Sequence, residues 1–125
     1  MRCLLLLLLA VSLATPAHAQ LSSSSLSTLV AEVSDDVLTW RRDIHANPEL
    51  GNQEFRTAGI VASHLDSLGM EVHTGIAYTG VLGILRGGKP GKTVALRADM
   101  DALPVTEQTG LDFASTVTTE YNGRQ

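Results

Sequence analysis

The stretch QEFRTAGIVASHLDSLGMEVHT (residues 53–74) carries the fold class, because its hydrophobic period changes partway along. Ala58, Val61, Ala62, Leu65 and Leu68 recur at spacings of three and four, the pattern of an amphipathic helix with one buried stripe. The spacing predicts a helix over Gln53–Leu68, with Asn52 as its N-cap and Gly69 as its left-handed C-terminal stop. His64 falls on the polar side of that helix. Immediately after Gly69, Met70–Thr74 reads as a strand, so helix and sheet lie side by side in one chain.

Toward the N-terminus, Leu26, Leu29, Val30, Val33, Val37, Trp40 and Ile44 repeat at helical spacing, with Asp35, Asp36, Arg41 and Arg42 on the wetter side. Asn47-Pro48 ends this helix, since the residue before proline is pushed out of the helical region. Toward the C-terminus, Val81–Leu85 and Thr93–Ala98 are two further strand-like runs. The loop Gly87-Gly88-Lys89-Pro90-Gly91 between them predicts an antiparallel pair. Gly110–Thr119 reads as either another strand or a loop. The expected order is therefore two helices followed by strands that include a hairpin, an α/β arrangement.

Residues 1–19 read as a secretory signal. Arg2 gives a positive start, Leu4–Leu9 with Ala10, Val11 and Leu13 an apolar run, and Ala17-His18-Ala19 a small-x-small site before Gln20. The run is about ten residues, well short of the ~20 that span a bilayer. Export to the periplasm or the medium is expected, with no membrane association after cleavage. Residues 20–25 form a polar, flexible lead-in and residues 26–125 the folded part. Cleavage leaves 8 basic residues against 13 acids, a net charge of −5, and removes Cys3, the only cysteine. An acidic chain without a clustered basic face is a poor match for nucleic acid. Without a cysteine, the mature chain has no thiolate nucleophile and no disulfide.

RGGKPGKT (residues 86–93) imitates a phosphate-cradling loop, but Arg86 stands where its first glycine belongs. It also leads into a strand rather than a helix, and Pro90 removes an amide donor. It is read as a hairpin loop. Asp99-Met100-Asp101 is more informative: two carboxylates two residues apart at a strand end point the same way, toward a sheet rim. Leu103 and Pro104 exclude a calcium loop. From spacing alone, a pair of solvated acids accounts for the motif equally well. His45, His64 and His73 have no metal-ligand spacing and read as structural or solvated.

Several stretches taken in order are familiar. WRRDIHANPEL (residues 40–50), Glu54-Phe55-Arg56-Thr57-Ala58, Leu68-Gly69, Thr79-Gly80-Val81 and LRADMDALP (residues 96–104) together resemble the metal-dependent amidohydrolases. That family includes hippurate hydrolases, N-acyl-amino-acid hydrolases and auxin-conjugate hydrolases. The resemblance runs from about Val37 to Gln125. It implies the N-terminal part of a three-layer α/β/α catalytic domain of the zinc-exopeptidase type, without the family's smaller lid domain.

It also implies cleavage of the amide of a small N-acyl amino acid, with a divalent metal, zinc or manganese, polarising the carbonyl and activating water. By resemblance, Asp101 hydrogen-bonds a metal-binding histidine, fixing its tautomer and orientation. Asp99 stands where other metallopeptidases of this kind place a metal-binding histidine, so its role as a ligand is weaker. The family's ligands come from a Cys-Gly-His motif and from glutamate and histidine positions beyond this region. This chain has no histidine after His73. It is therefore expected to bind no metal alone and to be an N-terminal fragment, inactive by itself. Homo-oligomerisation stays open. The alternative is an exported, non-catalytic α/β module for binding or dimerisation.

Overall fold

The computed structural model describes residues 22–125, and the proposed signal sequence with its cleavage site lies outside them. Two helices precede a two-stranded antiparallel sheet: α1 (Ser23–Ala46), α2 (Phe55–Ser67), β1 (Glu71–Ile76) and β2 (Gly80–Ile84). The chain divides into two units, one ending at Ser34 and the other starting at Asp35.

In the first unit, α1 begins inside the serine run rather than after it. The Ser22 hydroxyl accepts the amide of Ser25 at 3.1 Å, and the Ser22 carbonyl accepts that of Leu26 at 3.0 Å. That capping converts part of the expected flexible lead-in into helix. Leu26, Leu29, Val30 and Val33 of this stretch are exposed.

In the second unit, α1 ends at Ala46, where the Asn47 side chain donates to the Asp43 carbonyl at 2.9 Å. Trp40 and Ile44 of its apolar stripe line one cavity together with Ile60, Val61 and Leu65 of α2. His64 lines this cavity too, its ring 4.4 Å from that of Trp40. The polar-side placement expected for His64 is therefore corrected, because an imidazole offers a flat face that an indole can pack against.

The start of α2 differs from expectation. Asn52 does not cap it; Asn52 sits at φ 65° in a turn closed by the Gln53 amide on the Leu50 carbonyl, 2.9 Å. Asparagine tolerates that left-handed position. Glu54 is the N-cap residue but gives no side-chain cap. Glu49 does so from outside the helix: its carboxylate accepts the amides of Arg56 (2.9 Å) and Thr57 (2.7 Å). A full negative charge there satisfies two free amides and complements the helix dipole. At the other end, Gly69 has φ 72°, with its amide on Asp66 and the Met70 amide on Leu65, a Schellman closure.

The hairpin forms between the first two strand-like runs, not the second and third. β1 pairs β2 with Glu71 opposite Ile84 and His73 opposite Leu82, and the register shifts between His73 and Ile76. Ala77 and Tyr78 at the tip both have positive φ, 48° and 91°, which matches the right-handed twist of a tight hairpin. The three-residue tip, Ala77–Thr79, closes at less entropic cost than the longer Arg86–Lys92 connection. Thr93–Ala98 consequently has no strand partner among the described residues. Gly83 lets β2 approach α2 closely: a Cβ there would lie 2.9 Å from Leu65 Cδ1.

Candidate functional site

The segment after the Thr93–Ala98 run returns to the α1–α2 connection. The Ala102 amide donates to the Glu49 carbonyl at 2.8 Å, and Leu50 and Ala102 form a parallel bridge. Leu50 is 8% exposed and anchors this contact. Glu49 thus serves two elements, its side chain holding α2 and its carbonyl holding residue 102. Burial alone would raise the Glu49 carboxyl; the Thr57 and Arg56 amides outweigh it, so the group stays ionised below the usual carboxylate range.

Asp101 sits one residue before that bridge, alongside Gly51. A Cβ placed on Gly51 would lie 3.9 Å from both Asp101 Cβ and Oδ2. The Asp101 carboxylate is exposed, and none of the ion pairs among the described residues includes it. Asp99 is engaged differently, paired with Arg97 at 2.7 Å in an exposed contact. Exposed pairs of this kind hold little energy. The two acids of the Asp-x-Asp motif are therefore in different states, one bound to a neighbouring guanidinium and one open to a further donor.

Among the described residues, no three His, Cys, Asp or Glu side chains converge as a metal site needs. These residues do not fit a metal by themselves. Instead, the histidines meet carboxylates or an aromatic ring. His73 Nε2 lies 3.0 Å from Glu71 on the same face of β1, and Arg86 donates to the same carboxylate. Arg86 first and His73 second hold the Glu71 carboxyl low. His45 Nε2 lies 2.8 Å from Glu107 Oε1.

Glu107 and Glu54 are hubs that sequence reasoning missed. Glu107 also accepts the Thr109 hydroxyl and, at 2.5 Å, the Ser115 amide. The Thr109 hydroxyl, then His45, then that amide hold its carboxyl at about 2. The clasp ties residues 107–115 to the end of α1, where Phe113 packs edge-on to the His45 ring, 5.3 Å away. Arg41 and Arg42 lie 5.4 and 5.5 Å from the centre of the Phe113 ring. Glu54, 7% exposed, accepts the Thr79 hydroxyl and so locks α2 to the hairpin tip. That hydroxyl holds its carboxyl below the usual range. In one dimension each is a lone glutamate, indistinguishable from a solvated surface acid.

No family model matches the chain. Individual relatives do. Thermostable carboxypeptidase 1 of Saccharolobus solfataricus is 54% identical over 89 residues, covering 70% of this chain and 23% of that protein. The N-acyl-L-amino acid amidohydrolase of Geobacillus stearothermophilus is 44% identical over 95 residues, covering 76% and 26% respectively. A solved structure, the YXEP protein of Bacillus subtilis, is described as a dinuclear metal-binding peptidase of the M20 family. It matches with a TM-score of 0.64 and 38% identity over 70% of this chain and 25% of its own. This chain spans about a quarter of the length of these relatives. The α/β order of two helices and a hairpin, the ordered motifs and these matches agree: over the aligned residues the chain is similar to the amidohydrolases and to the M20 peptidases.

Proposed function

We propose that this chain is the N-terminal part of an exported amidohydrolase that cleaves the amide of small N-acyl amino acids, using a divalent metal, zinc or manganese. The names of its relatives support the substrate class: one is an N-acyl-L-amino acid amidohydrolase, another a hippurate hydrolase. The metal's ligands lie outside these 125 residues, and alone the chain is inactive. When bound, the metal supplies carbonyl polarisation and water activation. What this chain contributes is position. Asp101 accepts the N–H of a histidine brought by further polypeptide, holding that imidazole in the tautomer that leaves its other nitrogen free.

The observation that carries this role is the exposed carboxylate of Asp101, which is in no ion pair among the described residues and is fixed beside the Leu50–Ala102 bridge. A carboxylate held by backbone on one side and engaged by no cation among the described residues can orient an incoming imidazole without first breaking an ion pair there. Asp99, already paired with Arg97, is at most a secondary contributor.

The test uses the gene product that contains this chain together with its downstream polypeptide, assayed on hippurate and other N-acyl amino acids. Asp101→Asn is expected to keep the fold and lower turnover and metal retention by ~10–100-fold, the usual effect of losing such a support. Unchanged activity and metal content in that variant would remove Asp101 from the mechanism. Absence of hydrolysis of every N-acyl amino acid by the metal-loaded protein would overturn the substrate class.

A further inference from the structure

Two anchors hold the segment that follows Asp101, and both come from the end of α1 and the connection behind it. The first is the Ala102 amide on the Glu49 carbonyl, 2.8 Å, with the Leu50–Ala102 bridge. The second is Glu107, whose carboxylate lies 2.8 Å from His45 Nε2 and also accepts the Thr109 hydroxyl and the Ser115 amide. Between the anchors the chain is stiff. Pro104 fixes its own φ, and the Val105 amide closes a three-residue turn on the Leu103 carbonyl at 2.8 Å.

One backbone hydrogen bond leaves a segment free to pivot, and a second fixed point removes that freedom. The link from Ala102 to Glu107 is short and turned, so a shift of Glu107 reaches Ala102 instead of being absorbed in a slack loop. His45 is itself a seated partner, because Phe113 packs edge-on to its ring from the 107–115 segment. Among the described residues, no side-chain hydrogen bond or ion pair joins Glu107 or His45 to Asp101. Any influence between them therefore travels along the backbone of residues 102–106.

We propose that Glu107 is a positioning residue for Asp101: by gripping His45 it supplies the second fixed point of this segment and so sets the direction in which the Asp101 carboxylate is presented. The inference rests on the role proposed above for Asp101.

The test uses the gene product that contains this chain together with its downstream polypeptide, as Glu107→Ala, Asp101→Asn and the double variant. Glu107→Ala is expected to lower kcat on hippurate about tenfold with KM held within about twofold, the pattern of a lost support rather than of lost substrate binding. In the Asp101→Asn background the same change is expected to lower kcat by less than about twofold, because residues that act through one carboxylate are not additive. Exchange of the Ala102 amide, taken against its intrinsic rate, is expected to quicken at least ~10-fold in Glu107→Ala while β1 and β2 keep their protection. His45→Ala removes the grip from the other side and is expected to reproduce these losses. His45→Gln, which still offers an N–H to Glu107, is expected to restore most of what His45→Ala loses.

Equal losses from Glu107→Ala in both backgrounds overturn the proposal, since Glu107 then supports the fold at large. An Ala102 amide that stays protected in Glu107→Ala also overturns it. Full turnover in Glu107→Ala beside lost turnover in Asp101→Asn overturns it and leaves the role of Asp101 standing. If the unaltered protein hydrolyses no N-acyl amino acid, quickened Ala102 exchange sustains the backbone link, and the failure belongs to the proposed activity.

Discussion

Glu107 takes hydrogen bonds from the His45 ring, the Thr109 hydroxyl and the Ser115 amide, and these donors hold its carboxyl at about 2 against an ordinary 4.5. Its pKa is depressed in the folded chain, so the stabilisation it gives is complete above pH 4.5 and is lost as pH falls from there toward 2. Glu49, Glu54 and Glu71 are shifted the same way and add to the loss in acid. Protection of the Ser115 amide, taken against its intrinsic exchange rate at each pH, is therefore expected to fall across that interval. Glu107→Gln should show the lost protection already at pH 6; an unaltered Ser115 amide in that variant would mean the clasp is not what holds residues 107–115. Glu49→Ala removes the acceptor for two α2 amides and is expected to cost about 1 kcal/mol, typical of a lost helix cap, measured by urea unfolding.

The hairpin concentrates its constraints at the tip. Ala77 and Tyr78 hold positive φ without being glycine, and Tyr78 is 77% exposed, so its side chain recovers little by packing. Tyr78→Gly is expected to stabilise the hairpin by up to about 1 kcal/mol. Gly80 is the reverse case: a Cβ there would lie 2.5 Å from the Ile76 carbonyl oxygen, which is backbone and cannot swing aside. Gly80→Ala should cost roughly 1–3 kcal/mol, the range for forced overpacking. It should also displace the β1–β2 register, visible as lost amide protection at Ile76 and Gly80. Most of helix α2 was legible, because its period and its Gly69 stop are local signals, but Leu68, expected in the buried stripe, is the C-cap residue and 58% exposed. Its start was not, because the group that caps it belongs to Glu49, in the preceding connection.

Taken as a whole, the described residues bury only Leu50 and Ala58 among their hydrophobic side chains, while Leu85, Val94, Leu96, Leu103 and Val105 are each more than 70% exposed. Hydrophobic burial is the main term opposing chain entropy. The isolated chain is therefore expected to melt broadly and at low temperature, and to bind a hydrophobic dye such as ANS before heating. Calorimetry should find no tight, stoichiometric zinc or manganese site; a single tight site would reveal a ligand set that the described residues do not form.

What the amino-acid order determined by itself was the local part: two helices, the glycine stop, two strands of the hairpin and the motifs that carry the family resemblance. Each depends on residues within a few positions of one another, where period and backbone preference suffice. Only the tertiary structure decided which strands pair, that Asn52 turns rather than caps, and that His64 lies against Trp40. It alone also joined His45 to Glu107 and separated the states of Asp99 and Asp101. The Trp40–His64 and His45–Glu107 contacts join groups far apart in sequence, which spacing does not record. The Asn52 turn, the hairpin tip and the Arg97–Asp99 pair are local choices that hydrophobic period does not distinguish.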